Sequence, residues 1–241
     1  MSAVLERSVT EGDSLEARIL SVQEVQHVIS LQAMCLNALP ADQDLIHEKE
    51  PEDFHRILSG SHTEMLGIWE GGALIAQAVA LFPDIRNPDA DMLEMSLPGP
   101  VESVTTLAGV IVHPEHKGKR LMGRLIDSWH DLAEERGREH TLAMITDRNV
   151  PSLAGFLSGG LHVVDVAIDP EDDSTVYLAQ GRVVRDNQCT SAFDHATGIR
   201  LVTPGHTFHE RKSLFAEGFV GTRLMRDPNG GCTTTLEMVQ F

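Results

Sequence analysis

The spacing of hydrophobic positions changes several times along the chain, and each change marks an element. Leu15 to Val22 reads as a short strand, after which Val25, Val28, Ile29, Leu36 and Leu39 recur at helical spacing until Pro40. Pro51 opens a second helix, PEDFHRIL, with proline at the first helical position and acidic residues where the helix dipole favours them, ending near Ser59-Gly60. Glu64 to Trp69 and Ala73 to Phe82 are β-rich runs separated by Gly71-Gly72, the spacing of a tight hairpin. Pro83 to Pro100 carries four prolines with Asp84, Asp89, Asp91 and Glu94 and reads as an acidic surface loop, and Val101 to Val112 is again a strand. From Lys119 the period lengthens: Leu121, Leu125, Ile126, Trp129, Leu132 and Ala133 mark one face of an amphipathic helix that closes at Glu134-Glu135-Arg136-Gly137. Thr141 to Thr146 (strand), Pro151 to Leu157 (helix), Leu161 to Ile168 and Thr175 to Gln180 (strands) complete the order β α α β β β α β α β β.

Beyond Gly181 the pattern weakens into a polar stretch from Arg185 to Thr197. Strand-like Ile199 to Val202, a helix over Glu210 to Glu217, and two strands, Val220 to Met225 and Thr233 to Phe241, around a PNGG turn follow. The helix–strand–turn–strand order beginning at LFAEGF echoes Pro151 to Gln180; duplication and chance likeness of short units both fit that echo. The chain therefore divides into a main domain, residues 1–180, and a C-terminal α+β extension, residues 181–241, that packs on the domain or on a partner subunit, as in a homodimer.

Composition narrows the function. The formal net charge is −17, so the surface field repels nucleic-acid backbones and anionic membranes and favours cationic ligands such as amines. Cys35, Cys189 and Cys232 are odd in number and widely spaced, which fits neither a disulfide framework nor a zinc ribbon and suits a reducing compartment. The segment MSAVLERSVTEGDS lacks an apolar leader core, and the longest apolar stretch, Gly71 to Phe82, is interrupted by Gln77 and is shorter than the ~20 residues of a spanning helix. A cytoplasmic protein with no membrane partner is expected. The histidine groups His113/His116 and His206/His209/Glu210 lack a full ligand set for a metal.

The chemistry concentrates in Val104 to Ile126, where a strand runs through a proline turn and a basic, glycine-containing loop into an amphipathic helix. A helix N-terminus presents unpaired N–H groups and the positive end of the dipole, and Lys117, Lys119, Arg120 and Arg124 reverse the sign of the chain's charge there. That arrangement suits a pyrophosphate. Val112-His113-Pro114-Glu115 followed by Lys117-Gly118 resembles the acyl-CoA loop of the GNAT acetyltransferase superfamily, an Arg/Gln-x-x-Gly-x-Gly/Ala pattern after a Val-x-Pro strand end. Asn149-Val150-Pro151-Ser152 with Gly160-Leu161 is similar to the family's later segment. The resemblance covers about two thirds of the chain and implies a mixed α/β sheet with helices on both faces. It also implies acetyl-CoA as cofactor, and N-acetyl transfer to a small amine by direct attack in a ternary complex.

Carried onto this chain, the resemblance implies cofactor contacts at Lys117, Gly118, Lys119, Arg120, Leu121, Met122 and Gly123, chiefly through backbone amides. Backbone groups of Val110, Ile111 and Val112 would pair with the pantetheine arm as an added strand would, and Asn149, Ser152 and Phe156 would flank it. Asn149 also suits a helix cap. Two departures stand out: the loop's later small positions hold Arg120 and Met122, and the family's tyrosine acid falls at Phe156, which has no proton to give. A thiolate leaving group, with a thiol pKa near ~8.5, lessens the need for an acid. Glu102, at the start of the strand, is the candidate general base, with Glu94 as a second carboxylate. The alternative reading, motivated by Phe156, is a catalytically silent acyl-CoA-binding or sensing module.

Overall fold

The structure, a computed structural model, describes residues 15–40, 45–46, 48–86, 97–169, 172–183, 198–203, 205–226 and 234–240. The chain divides into two units, Met1–Arg136 and Gly137–Phe241. Strands and helices alternate through both, giving a mixed α/β protein. Among the described residues no helix is long and apolar enough to cross a membrane.

In the first unit β1 (Leu15–Ile19), β2 (Thr63–Glu70), β3 (Ala73–Leu81) and β4 (Val104–Val112) lie in the order β1-β2-β3-β4, antiparallel throughout. Gly71 and Gly72, with φ of 58° and 83°, supply the two left-handed residues of the β2–β3 hairpin. Alternation along β3, shifted by a bulge between Leu74 and Ala76, separates the faces. On one face Met65, Trp69, Leu74, Val79 and Ile111 pack beneath α1 (Val25–Asn37) and α2 (Pro51–Ser59), through Val25, Val28, Leu31, Cys35 and Phe54. The other face carries the buried alanines 76, 78 and 80, small enough to admit α3 (Leu121–Glu135). The stripe that α3 buries is the six-residue face read from the sequence. Trp129 anchors it by donating Nε1–H to Thr105 Oγ1 at 3.0 Å, and Thr105 donates in turn to the Leu81 carbonyl at 2.7 Å. Helices thus cover both faces.

Two boundaries differ from the sequence reading by three residues. β1 stops at Ile19, because Ser21 and Glu24 form a capping box that starts a 3-10 turn at Val22. Val101–Ser103 is also a 3-10 turn, closed by the Ser103 N–H and hydroxyl on the Pro100 carbonyl (2.8 and 2.7 Å), so β4 begins at Val104. Most of the Pro83–Pro100 loop, including Glu94, and the whole stretch Arg185–Thr197 lie outside the described residues.

The second unit contains β5 (His140–Thr146), α4 (Val150–Ser158), β6 (His162–Ile168), β7 (Thr175–Arg182), β8 (Gly198–Val202), α5 (Phe208–Ala216), β9 (Phe219–Arg226) and β10 (Thr234–Gln240). Its strand order, β5-β7-β6-β9-β10-β8, is palindromic: the run β5-α4-β6-β7 is followed by a like run, β8-α5-β9-β10, and the two meet through antiparallel β6 and β9. Gly160 and Gly218 end the two helices with φ of 90° and 85°. Counted from these glycines, Val163 and Gly221 are equivalent positions, and they are the pair matched across the junction. A Cβ at Gly221 would stand 3.0 Å from Val163 Cβ and 2.8 Å from Leu236, so close strand approach requires glycine there.

Candidate functional site

The basic loop grows directly from the end of β4. His113 N–H donates to the Ile75 carbonyl at 2.8 Å, and Pro114–His116 turn once as a 3-10 helix, with His113 Nδ1 accepting from the Glu115 N–H. Gly118 (φ 80°) and Arg120 (φ 58°, ψ 26°) then take left-handed conformations that swing the chain into α3. Arg120 thus adopts the backbone state that glycine adopts without strain. No side chain caps α3 and no acid lies in its first turn, whereas Asn149 caps α4 and Thr207 caps α5. A Cβ placed at Gly118 or Gly123 would meet no atom within 4 Å, so the loop is open where those glycines lie. Uncapped N–H groups, the helix dipole and an open cradle together suit an anion.

Lys117, Gly118, Lys119 and Arg120 are exposed, while Met122, Gly123 and Arg124 are half-buried. Leu121 is buried in the stripe, which leaves only its backbone to face a ligand. Lys119 is partly neutralised: its Nζ lies 3.8 Å from Glu70 Oε1 and 3.2 Å from His116 Nδ1, and His116 is 3.5 Å from Glu70 Oε2.

Upstream, β4 bulges. Between Ala108 and Ile111 it spends one residue more than β3 does between Val79 and Gln77, and Gly109 takes φ 57° there. Val110 and Val112 are half-buried and the Ile111 side chain lies in the core. The Val112 carbonyl accepts from Cys35 Sγ at 3.4 Å. Burial pushes that thiol up to about 11 despite the charge of Lys117, so it stays protonated and is no nucleophile. Glu102 lies in the 3-10 turn before β4 instead of on the strand, and is exposed.

Gln77 was not among the sequence candidates. It is 1% exposed, on the face beneath α1 and directly opposite Ile111, and its Oε1 has no hydrogen-bond partner among the described residues. Thr106 Oγ1, on the same face, is likewise unpartnered. The only sign in the sequence is a single polar residue inside the apolar run of β3.

In the second unit Asn149 Oδ1 accepts from the Ser152 N–H at 3.1 Å, the cap geometry. Phe156 is buried in α4. Tyr177, the single tyrosine of the chain, is buried in β7, and its hydroxyl accepts from Arg211 Nη1 at 3.1 Å. Burial pushes its pKa up, with Arg211 opposing. His206 is held locally, its Nδ1 accepting from the Thr203 N–H at 3.1 Å.

The model of the acetyltransferase (GNAT) domain family matches residues 16–152. Among solved structures, the chain is similar to the GNAT domain of S. lividans PAT (17% identity, TM-score 0.54, covering 71% of this chain and 92% of that one). It is also similar to yncA of Salmonella typhimurium, solved with its cofactor acetyl-CoA (17%, 0.52, 73% and 97%), and to an N-acetyltransferase of Staphylococcus aureus Mu50 (15%, 0.55, 71% and 99%). At these identities the likeness is one of fold. No curated protein matches the chain by sequence.

Proposed function

Because the chain belongs to the GNAT acetyltransferase family, whose members use acetyl-CoA, we propose that it transfers an acetyl group to the nitrogen of a small amine by direct attack in a ternary complex. Acetyl-CoA, when bound, supplies the acyl group as a thioester. The observation that carries the reading is the uncapped start of α3 behind left-handed Gly118 and Arg120, ringed by cations in a chain of net charge −17. In this reading the N–H groups of Leu121, Met122 and Gly123 hold the pyrophosphate, and Lys117, Lys119 and Arg120 add charge. The backbone of Val110, Ile111 and Val112 lies along the pantetheine arm beside the bulge, and Asn149 offers the arm the side of its carboxamide that the cap does not use. By the family resemblance, Ser152 and Phe156 would flank the same arm. The acidic surface draws the cationic amine in, and Glu102 takes its proton before attack.

The experiment is coenzyme A thiol release measured against a panel of amines. Release above the amine-free rate is expected for at least one amine, and Glu102→Gln should lower kcat/KM about 10²–10⁴-fold and flatten the acidic limb of its pH profile. Absence of release with every amine, while acetyl-CoA still binds, would identify the silent binding module that Phe156, with no proton to give, motivates.

A further inference from the structure

We propose that Arg211, in the C-terminal helix α5, is a positioning residue for the turn Asp147–Asn149 that opens α4, so that the chain beyond residue 180 shapes the acyl-transfer site. The proposal rests on the reading of Asn149 as a contact of the cofactor arm.

Arg211 is 8% exposed, unusual for an arginine, and its donors are directed at three different segments. Nη1 donates to Asp147 Oδ2 at 2.7 Å and to the Tyr177 hydroxyl at 3.1 Å, while Nε donates to the His206 carbonyl at 3.1 Å. The guanidinium also lies over the Tyr177 ring, 5.7 Å from its centroid. Asp147 is where β5 has just ended. Its N–H donates to the Thr175 carbonyl at 2.9 Å, the Asn149 N–H returns to the Thr146 carbonyl at 2.9 Å, and Asn149 then caps α4. The orientation of Asn149 is therefore set two residues upstream by a carboxylate that the guanidinium holds. A rigid planar fork that satisfies a carboxylate, a phenol and a carbonyl at once fixes direction as well as distance, which a lysine at the same place would not do.

α5 has a second anchor that separates positioning from simple attachment. Lys212 Nζ donates to both oxygens of Asp165 at 2.7 Å and to the Val166 carbonyl at 3.1 Å. Those partners belong to β6, and Lys212 makes none of the Arg211 bonds to the turn. Loosening α5 through Lys212 and releasing the turn through Arg211 should thus have different kinetic signatures.

The test measures steady-state kinetics of the full chain with acetyl-CoA and the best amine, together with thermal unfolding, for Arg211→Met, Arg211→Lys, Lys212→Met and Asn149→Ala. Arg211→Met is expected to raise the KM for acetyl-CoA about 10- to 100-fold with kcat changed far less. Arg211→Lys should recover part of that loss, and Lys212→Met should lower the unfolding midpoint while leaving KM in place. Tyr177 reports the network directly, since the chain has one tyrosine: its phenolate absorbance should appear at higher pH in Arg211→Met than in wild type. Should Arg211→Met fail to fold, Asp147→Asn, which keeps the helix and removes only the charge on the turn, carries the same expectation. The proposal is overturned if Arg211→Met or its substitute leaves KM unchanged, or if Lys212→Met raises KM equally. An unchanged KM in Asn149→Ala would instead refute the role given to Asn149, whatever Arg211 does.

Discussion

Arg120 combines both sides of the argument in one residue. A left-handed conformation costs an L-residue roughly 1–2 kcal/mol, and such strain persists where the surroundings and the function require it. With φ at 58°, Arg120 keeps the geometry that launches α3 and adds a cation beside the open cradle. Arg120→Gly should remove that strain and, after the greater freedom of glycine in the unfolded chain, raise stability by about 0.5–1 kcal/mol while weakening acetyl-CoA binding several-fold. Urea unfolding and titration of the same variant check both halves, and a loss of stability would contradict the account. The sequence displays the cluster of cations but not this backbone state, because no single-residue preference places an arginine at positive φ; the demand comes from the entry into the helix. Gln77 is visible as a lone polar residue in an apolar strand, yet its lack of a partner among the described residues depends on how α1 and β4 pack around it.

At the scale of elements, the seating of α3 on β4 is what aims the helix start. Thr105 serves Trp129 Nε1 and the Leu81 carbonyl together, whereas the neighbouring Thr106 hydroxyl serves no group among the described residues. Thr105→Val should therefore cost about 1–3 kcal/mol by stranding a buried indole N–H, while Thr106→Val should be neutral or stabilising. Equal denaturant midpoints for the two variants would refute the pairing. The element order was legible throughout residues 15–180, because the stripe of α3, the glycine hairpin and the alternating strands are local patterns. The misread ends, Val22 and Val101–Ser103, lie where apolar or β-branched residues enter 3-10 turns closed by nearby polar groups, and hydrophobic periodicity does not register such closures. Tyr177 could be read as a core residue, but Arg211, far along the chain, became its partner only through the fold.

For the molecule as a whole, pH separates buried from surface charge. Burial lowers the pKa of His130 and His162, and His130 Nε2 is buried without a partner among the described residues. Both are held neutral in the folded state, so their contribution is complete above the unfolded value near ~6.5 and is lost as pH falls through the lowered folded values. Glu24 behaves oppositely: burial raises its pKa, but the hydrogen bonds from Arg18 and Ser21 prevail and lower it, and its contribution is lost only below an unfolded value of 4.5. Between pH 6.5 and 5 the loss should thus come from the two histidines. Urea unfolding at pH 7.5 and 5.5 should show wild type weakening and the His130→Met, His162→Met double variant weakening less; parallel losses would contradict the assignment. The fading of periodicity near Gly181 sets a boundary there in the sequence. In the structure β8 to β10 and α5 continue the second unit as a palindromic counterpart of β5 to β7 and α4, an arrangement that the faint helix–strand–strand echo hinted at and that only strand pairing could display.

The central claim is that the loop entering α3 holds acetyl-CoA through its backbone, and calorimetric titration of acetyl-CoA into wild type and Gly118→Val tests it most directly. Beyond the chain neighbours no atom lies within 4 Å of a Cβ at Gly118, so the Cβ itself meets no clash, but the φ of 80° is one that a β-branched residue resists. The account predicts saturable binding to wild type and affinity lowered about tenfold in a folded Gly118→Val, with Lys117→Ala losing less. Unchanged affinity in Gly118→Val would contradict it.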